Sequence, residues 1–227
     1  MKKKVMLGVI AAMVVSMSAT VFAAPSIGQI IPEEPQIVST ENVPEGAKIV
    51  VSTIDVTDEK VLDNYTSNEP VKTLLKTVND ENTKPTIEAV KEVLKEMNVE
   101  DVTNVETKSG EKVDLTEYKF TTPFIDIAEQ IGDEITYKTN GDLEVKVKID
   151  AAKEKKAEDL LLMLVDPETG KVVFITIDEI DPVTGELKVT FPFLGAIALL
   201  DKSAVDENEI ETQTTDAGVA DTETAAE

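Results

Sequence analysis

Residues 143–149, LEVKVKI, alternate strictly between apolar and charged side chains. The apolar members are Leu143, Val145, Val147 and Ile149, and the charged members are Glu144, Lys146 and Lys148. Because successive side chains of a β-strand point to opposite faces, the pattern predicts an antiparallel strand with one buried face and one face in water. The apolar face needs a second layer to cover it.

Several further runs of the same kind follow this strand. A charged connection, residues 151–159, leads to DLLLMLV, KVVFITI, ELKVTFPF and GAIALL, each bounded by turn residues. Upstream, Ser109-Gly110 and Asn140-Gly141 each separate two β-like runs and predict hairpins, while Pro123 predicts a bend or an edge. Short strands at this regular spacing favour a β-sandwich.

The pattern Asp-Pro-x-Thr-Gly occurs twice, at 166–170 and at 181–185. In each copy Asp can accept a hydrogen bond from the backbone two residues on, Pro presets φ, and Gly can take a positive φ. We therefore expect two hairpin loops of a three-stranded meander. An aspartic-protease-like Asp-Thr-Gly would need Asp directly before Thr-Gly as the catalytic group. Those positions hold Glu168 and Val183, which argues against catalysis at these loops.

A different pattern precedes residue 100. Residues 47–56, AKIVVSTIDV, are rich in β-branched residues and predict a strand. Two amphipathic helices are then expected, with Pro70 in the first turn of the first helix and the second helix spanning 85–98. Their apolar stripes are Val71, Leu74, Leu75 and Val78 in the first helix and Ile87, Val90, Leu94 and Met97 in the second. The short connection predicts a helical hairpin packed on a sheet.

The chain ends predict export. Lys2, Lys3 and Lys4 precede an apolar run and small residues, the pattern of a secretory signal peptide. Cleavage after Ala23 is favoured over cleavage after Ala24, which would place Pro25 next to the cut. We therefore expect a signal peptide (1–23), an extended proline-rich leader (24–46), a small α/β portion (47–100), a sandwich (101–202) and a disordered acidic tail (203–227). No membrane span is expected after signal cleavage, and the predicted location is extracellular.

Net charge argues against anionic partners. The chain has 22 basic residues, all Lys, and 45 acids; removal of three lysines with the signal leaves 19 against 45, a net charge of −26. Such a field repels nucleic acid and anionic membrane. The absence of Arg also removes the planar fork that binds phosphate in two places.

Residue types exclude most familiar catalysis. The chain contains no His and no Cys, so Ser-His-Asp and Cys-His arrangements and His-ligated zinc are impossible. A carboxylate pair acting as acid and base on a glycan remains open. With no Trp and only Tyr65, Tyr118 and Tyr137, the chain has few aromatic platforms for sugars. No catalytic residue is assigned, and a non-enzymatic role is expected.

Weak calcium binding is the one cofactor hypothesis. Clustered acids and amides in 55–64, DVTDEKVLDN, and in 79–82, NDEN, offer the oxygen ligands that Ca²⁺ prefers. Neither stretch matches an EF-hand loop, and both equally fit solvated loops flanking helices. No cofactor is otherwise expected.

Three phenylalanines of the strand region have two interpretations. Phe191 and Phe193 share a face with Val189, which favours a core between sheets; with Phe174 they could instead form an exposed platform for a ligand. The core interpretation is favoured, because rings of this kind are usually buried.

Residues 141–202 resemble a known class of module. The order of LEVKVKI, a Lys-rich connection, LLLMLV, KVVFITI, ELKVTFPF, the bend Phe193-Leu194-Gly195 and an Ala-rich last strand is similar to the C-terminal β-sandwich modules of secreted and surface proteins from Gram-positive bacteria. The resemblance implies an immunoglobulin-like fold and a non-catalytic role.

The combined expectation is an α+β fold, mainly an antiparallel Ig-like β-sandwich with a small N-terminal α/β portion that contains a helical hairpin. The expected function is a structural or binding module of the cell envelope or extracellular space that holds a protein or glycan. The alternatives are a carboxylate-dependent glycan-active enzyme and a calcium-stabilised surface domain.

Overall fold

The computed structural model describes residues 35–41, 43–44, 46–80 and 85–202. The predicted signal peptide, most of the leader and the acidic tail lie outside the described residues. The strands are β1 (Gln36–Glu41), β2 (Ala47–Thr53), β3 (Val105–Glu106), β4 (Lys112–Val113), β5 (Lys119–Phe120), β6 (Ile125–Ile131), β7 (Glu134–Thr136), β8 (Leu143–Lys148), β9 (Leu160–Val165), β10 (Val172–Thr176), β11 (Glu179–Asp181), β12 (Glu186–Phe191) and β13 (Gly195–Asp201). The helices in this part of the chain are α1 (Glu59–Tyr65), α2 (Glu69–Val78) and α3 (Ile87–Glu96).

Two antiparallel sheets contain most of these strands. Sheet A has the order β1-β8-β12-β11, and sheet B has the order β10-β9-β13-β6-β2, with β5 beside β13 and β7 beside β6. The strands β3 and β4 form a separate small hairpin, as the Ser109-Gly110 pair predicts. The predominance of antiparallel strands in the described residues is consistent with the predicted β-sandwich.

The core consists of two clusters, one on each face of sheet B. Val145, Val147 and Phe191 of sheet A pack with Ile127 and Leu162 of sheet B in one cluster. On its other face, sheet B packs against the three helices in a second cluster. This explains why LLLMLV has no alternation: all six residues of β9 are buried, because both faces of the strand are covered.

The predicted apolar stripes of α2 and α3 are confirmed. Val71, Leu74, Leu75 and Val78 are buried in α2, and Ile87, Val90 and Leu94 are buried in α3. Side-chain oxygens of Asn68 and Thr86 accept hydrogen bonds from the backbone of Val71 and Ala89, so each helix begins at a residue that caps its free N–H groups. Both stripes belong to the second cluster, which also contains Leu161 and Met163 of β9.

The predicted hairpin at Asn140-Gly141 is wrong. The preceding strand, β7, pairs with β6 in sheet B, whereas the following strand, β8, pairs with β1 and β12 in sheet A. Between them the chain crosses from one sheet to the other, where the Thr139 hydroxyl donates to the Pro192 carbonyl at 3.1 Å. An Asn-Gly pair favours a turn, but pairing is decided by which buried face each strand can cover.

The two Asp-Pro-x-Thr-Gly loops are hairpins, as predicted, but the three-stranded meander is wrong. The first loop joins β9 to β10 within sheet B, and the second joins β11 to β12 within sheet A. The chain changes sheet at 177–178. The alternating pattern of a strand does not specify which sheet it enters, because either sheet can accept one apolar face.

Segments ahead of residue 101 contribute a strand to each sheet. Strand β1, in the segment expected as an extended leader, is extended and pairs with β8, while β2 pairs with β6 along seven residues. Ile37 and Val43 pack against the cluster between the sheets. The sandwich and the N-terminal segments therefore share their cores.

Candidate functional site

The outer face of sheet A carries a band of charged side chains. Buried and more exposed side chains alternate along β8 and β12. The side chains that point away from the core form the outer face, which consists of Glu144, Lys146, Lys148, Glu186, Lys188 and Thr190. These six residues are half-buried or exposed, whereas the residues between them are buried. Sheet B is covered by sheet A on one face and by the helices on the other. Within the described part of the chain, the outer face is therefore the broad sheet surface that no other layer covers.

Strand register places amines and carboxylates side by side on the outer face. Lys146 of β8 lies opposite Lys188 of β12, and Lys148 lies opposite Glu186. The Lys188 ammonium also forms an ion pair with Glu144, with 3.0 Å between nitrogen and oxygen. Opposite-charge neighbours across strands stabilise a sheet, and they also present donors and acceptors together.

A shallow pocket of about 300 Å³ opens on this face beside the short strand β11. The ammonium-bearing side chains of Lys146 and Lys188 line it together with the carboxylates of Glu179, Asp181 and Glu186. The pKa of Asp181 lies below its usual value, because the Val183 backbone N–H and the Thr184 hydroxyl donate hydrogen bonds to it. The pocket presents both hydrogen-bond donors and hydrogen-bond acceptors.

A second pocket of about 160 Å³ borders the same face at Thr190. The Thr190 hydroxyl donates to Asp178 at 2.9 Å, and Ser109 and Thr176 add two more hydroxyls to the lining. Lys108, also in the lining, donates to Asp142 at 3.0 Å. Both pockets are open, and polar residues make up most of each lining, so they offer hydrogen-bonding groups to a hydrophilic ligand.

A second candidate group lies between sheet B and the helices. Asp126 of β6 is 8% exposed and accepts hydrogen bonds from the hydroxyls of Tyr65 at 3.0 Å and Tyr137 at 3.4 Å. The two tyrosine rings meet edge to face, with centroids 6.1 Å apart. We call these three residues the Asp126 cluster.

Burial changes the acidity of the whole cluster. It raises the pKa of Asp126 to about 6, against the opposing effect of the two phenol hydrogen bonds. Burial, with the nearby Asp126 charge, raises the pKa of Tyr65 and Tyr137 above the usual value. A carboxyl group with this pKa changes its charge near neutral pH and can take up or release a proton there.

The acids of the two repeated loops have structural roles. Asp166 accepts from the Glu168 N–H at 2.9 Å and from the Thr169 hydroxyl at 2.7 Å, and Asp181 accepts from the Val183 N–H at 2.9 Å. Gly170 and Gly185 close the turns with φ of 72° and 75°. The predicted roles of Asp and Gly in these turns are confirmed.

Acids of the first calcium candidate, 55–64, organise the start of α1. Asp55 accepts from the N–H and hydroxyl groups of Thr57, and Asp58 accepts from the Lys60 N–H and caps the helix. In the second candidate, Asn79 binds the backbone of Phe124, while 81 and 82 lie outside the described residues. Among the described residues, no group of three or more metal-ligating side chains is present.

The core interpretation is confirmed for Phe174 and Phe191, which are both buried. They lie in different clusters: Phe174 faces the helices, and Phe191 faces the space between the sheets. Phe193 is half-buried, and the Lys171 ammonium lies 5.4 Å from its ring centroid.

Sequence reasoning missed α1 and the Asp126 cluster. The run Ile125-Asp126-Ile127 alternates, which suggests a half-exposed strand, but the face that carries Asp126 is covered by α1. The unusual environment of Asp126 comes from contacts 61 and 11 residues distant in the chain, for which the local pattern contains no signal.

No helix within the described residues is long and apolar enough to cross a bilayer. Comparison of the chain with protein-family models, with curated proteins and with solved structures finds no match in any of the three.

Proposed function

We propose that this protein is a secreted, non-catalytic binding module of the cell envelope or extracellular space, and that the outer face of sheet A holds a hydroxyl-rich glycan. One observation carries the proposal: an open, polar sheet face that presents both ammonium and carboxylate groups around a pocket of about 300 Å³. Each sugar hydroxyl can donate to a carboxylate and accept from an ammonium group, so such a lining satisfies both halves of the hydroxyl.

A glycan held by hydrogen bonds, without stacking on aromatic rings, suits this face better than a protein partner. Protein interfaces usually depend on buried aromatic or Arg anchors. The outer face presents none of these side chains, and its members are Glu, Lys and Thr. An uncharged glycan also avoids the repulsion that the chain's net charge of −23 imposes on anionic ligands.

An immunoglobulin-like identity for the sandwich, and secretion itself, are parts of the same proposal. Two antiparallel sheets that pack through one shared apolar cluster support the first. The basic and apolar N-terminal residues support the second. The helical layer on sheet B adds to the two layers of a plain sandwich.

Retention on insoluble cell-wall glycan tests the proposed face. We expect the double variant Lys146→Ser/Lys188→Ser to bind at least about tenfold more weakly than the native chain, because two charged donors are lost. The measurement is the bound fraction as a function of glycan concentration.

The matched control is Lys91→Ser/Lys95→Ser on α3. It removes the same charge from exposed positions, and Lys91, like Lys188, has a carboxylate partner, Glu88. We expect it to bind as the native chain does. Equal retention of both double variants would contradict the assignment of the outer face.

The Asp126 cluster favours a second candidate, the carboxylate-dependent glycan-active enzyme. A carboxyl group whose pKa is raised to about 6 has the property required of a general acid. The same glycan preparations can be assayed for new reducing ends with the native chain and with Asp126→Asn. Turnover that disappears in the variant, without retention of the native chain on the glycan, would replace the binding proposal with this one.

A further inference from the structure

The Asp126 cluster joins three elements of the fold. Tyr65 is the last residue of α1, Asp126 lies in β6 of sheet B, and Tyr137 directly follows β7. The two hydrogen bonds therefore tie the helical layer and the end of β7 to one carboxyl group of the sheet.

Helix α1 has few other attachments to the sheet. It has seven residues, and Leu62 is its one fully covered side chain. Helices of this length are marginal without tertiary contacts. Its ion pairs, Asp63 with Lys72 and Glu59 with Lys76, connect it to α2 and not to sheet B. The bond from Tyr65 to Asp126 and the bond from the adjacent Thr66 hydroxyl to the Pro167 carbonyl, at 2.6 Å, together hold the end of α1 on sheet B and its first repeated loop.

We propose that the Asp126 cluster is a pH-sensitive latch, which holds α1 on sheet B firmly when the carboxyl group is protonated and less firmly when it is ionised. The proposal is independent of the proposed glycan binding, because none of the three residues of the cluster lies on the outer face of sheet A.

The surroundings of the carboxyl group support the direction of this switch. Its register partners on β2 and β13 are Ser52 and Ala196, which bear no charge. The charged groups that act on the tyrosines are Asp166 and Glu168 of the first repeated loop, and both are acidic. Lys138 forms an ion pair with Glu168, with 3.7 Å between nitrogen and oxygen, and it is not among the causes of the Asp126 pKa shift. None of the causes of the Asp126 pKa shift is a cation, so ionisation inside the interface is opposed by desolvation.

Linkage fixes the pH range. The folded-state pKa of Asp126, about 6, is higher than the ordinary 3.8, so the proton stabilises the fold. This contribution is fully present below pH 3.8 and is lost as pH rises through 6. The loss of this contribution lowers the folding equilibrium constant on the order of 100-fold, from this residue alone.

Tyrosine fluorescence can observe the latch directly. The chain has no Trp and three tyrosines, two of which are in the cluster. We expect emission of the native chain to titrate with a midpoint near 6, and this inflection to be absent in Asp126→Asn. The control Tyr118→Phe should keep it. An inflection near 6 that persists in Asp126→Asn would overturn the proposal.

Removal of one tyrosine hydroxyl gives a second, independent test. The hydrogen bonds from Tyr65 and Tyr137 favour the ionised carboxylate. Tyr137→Phe, which leaves the bond from α1 in place, should therefore move the midpoint upward, and an unchanged or lower midpoint would contradict the assignment. This test remains informative if the Asp126→Asn variant does not fold.

Hydrogen exchange distinguishes a latch from general destabilisation. After correction for intrinsic exchange rates, the Thr66 amide, which donates to Leu62 at 3.0 Å, should lose protection between pH 5 and pH 8 relative to amides of α3. In Asp126→Asn this relative loss should disappear. Equal changes in α1 and α3 would show that no local latch exists.

Discussion

Gly195 begins β13 beside the carbonyl oxygen of Val165, which ends β9. A Cβ at this position would overlap that oxygen and approach the Pro167 ring to 3.1 Å. Since both strands belong to the doubly covered sheet B, neither backbone can move away without disturbing a cluster on each side. A side chain at Gly195 is therefore excluded by space.

We expect Gly195→Ala to lower the free energy of unfolding by about 3 kcal/mol, because the overlap involves backbone atoms. Urea denaturation measures the change. Gly141→Ala is the control: Gly141 has φ of 96° with nothing within 4 Å of a Cβ, so only local strain of about 1 kcal/mol is expected. Equal losses in the two variants would contradict this explanation.

At the scale of elements, the two repeated loops show how one local pattern can have two environments. In the first loop, the Thr66 hydroxyl donates to the Pro167 carbonyl at 2.6 Å, and a Cβ at Gly170 would lie 2.5 Å from the Asn68 side chain. In the second loop, Val183 is 81% exposed. The same five-residue pattern forms both turns, but only the first packs against the helical layer.

Asn79 connects two elements through one side chain. Its oxygen accepts from the Phe124 N–H at 2.7 Å, and its nitrogen donates to the Phe124 carbonyl at 3.0 Å. It lies at the end of α2, and Phe124 directly precedes β6. The amide therefore satisfies a backbone donor and acceptor that no strand partner reaches.

We expect Asn79→Ala to lower the free energy of unfolding by about 2 kcal/mol, because a partly buried N–H and C=O lose their partner. Asn79→Asp should restore little of this loss, since a carboxylate cannot donate to the Phe124 carbonyl. Thermal and urea denaturation give the values. Exposed Asn104→Ala should change stability by less than about 0.5 kcal/mol, and a similar effect of all three substitutions would refute the role of Asn79.

At the scale of the whole molecule, sheet B makes the layers interdependent. Its helix-facing residues include Leu161, Met163, Val165, Phe174, Ala196, Ala198 and Leu200, all buried in the cluster that contains α2 and α3. Large exposed apolar patches are rare on soluble monomers. The segment 101–202 would expose such a patch without the helices.

We therefore expect residues 101–202, expressed alone, to lack a cooperative thermal transition and to bind a hydrophobic dye strongly. The fragment also loses β1 and β2, which pair with β8 and β6. Residues 35–202 serve as the control and should melt cooperatively. A cooperative melt of the shorter fragment would show that the sandwich is an independent domain.

Local patterns predicted much of this fold. The stripe of α2, the alternation of β8, the hairpin at Ser109-Gly110 and both repeated turns depend on residues within about ten positions of one another, where propensity, period and turn chemistry act directly. The open polar face of sheet A also follows from the alternation of β8. Its pocket does not, because it needs β11 and β12 beside β8.

The amino-acid sequence alone determined the period of each strand and helix, the turns that end them, and the absence of imidazole and thiol chemistry. Only the tertiary structure decided that β7 and β8 enter different sheets, that helices cover the second face of sheet B, and that Asp126 is buried beside two tyrosines. The physical reason is that a strand's side-chain period specifies a face to be covered but not what covers it. The environment of a charge, and therefore its pKa, depends on that cover.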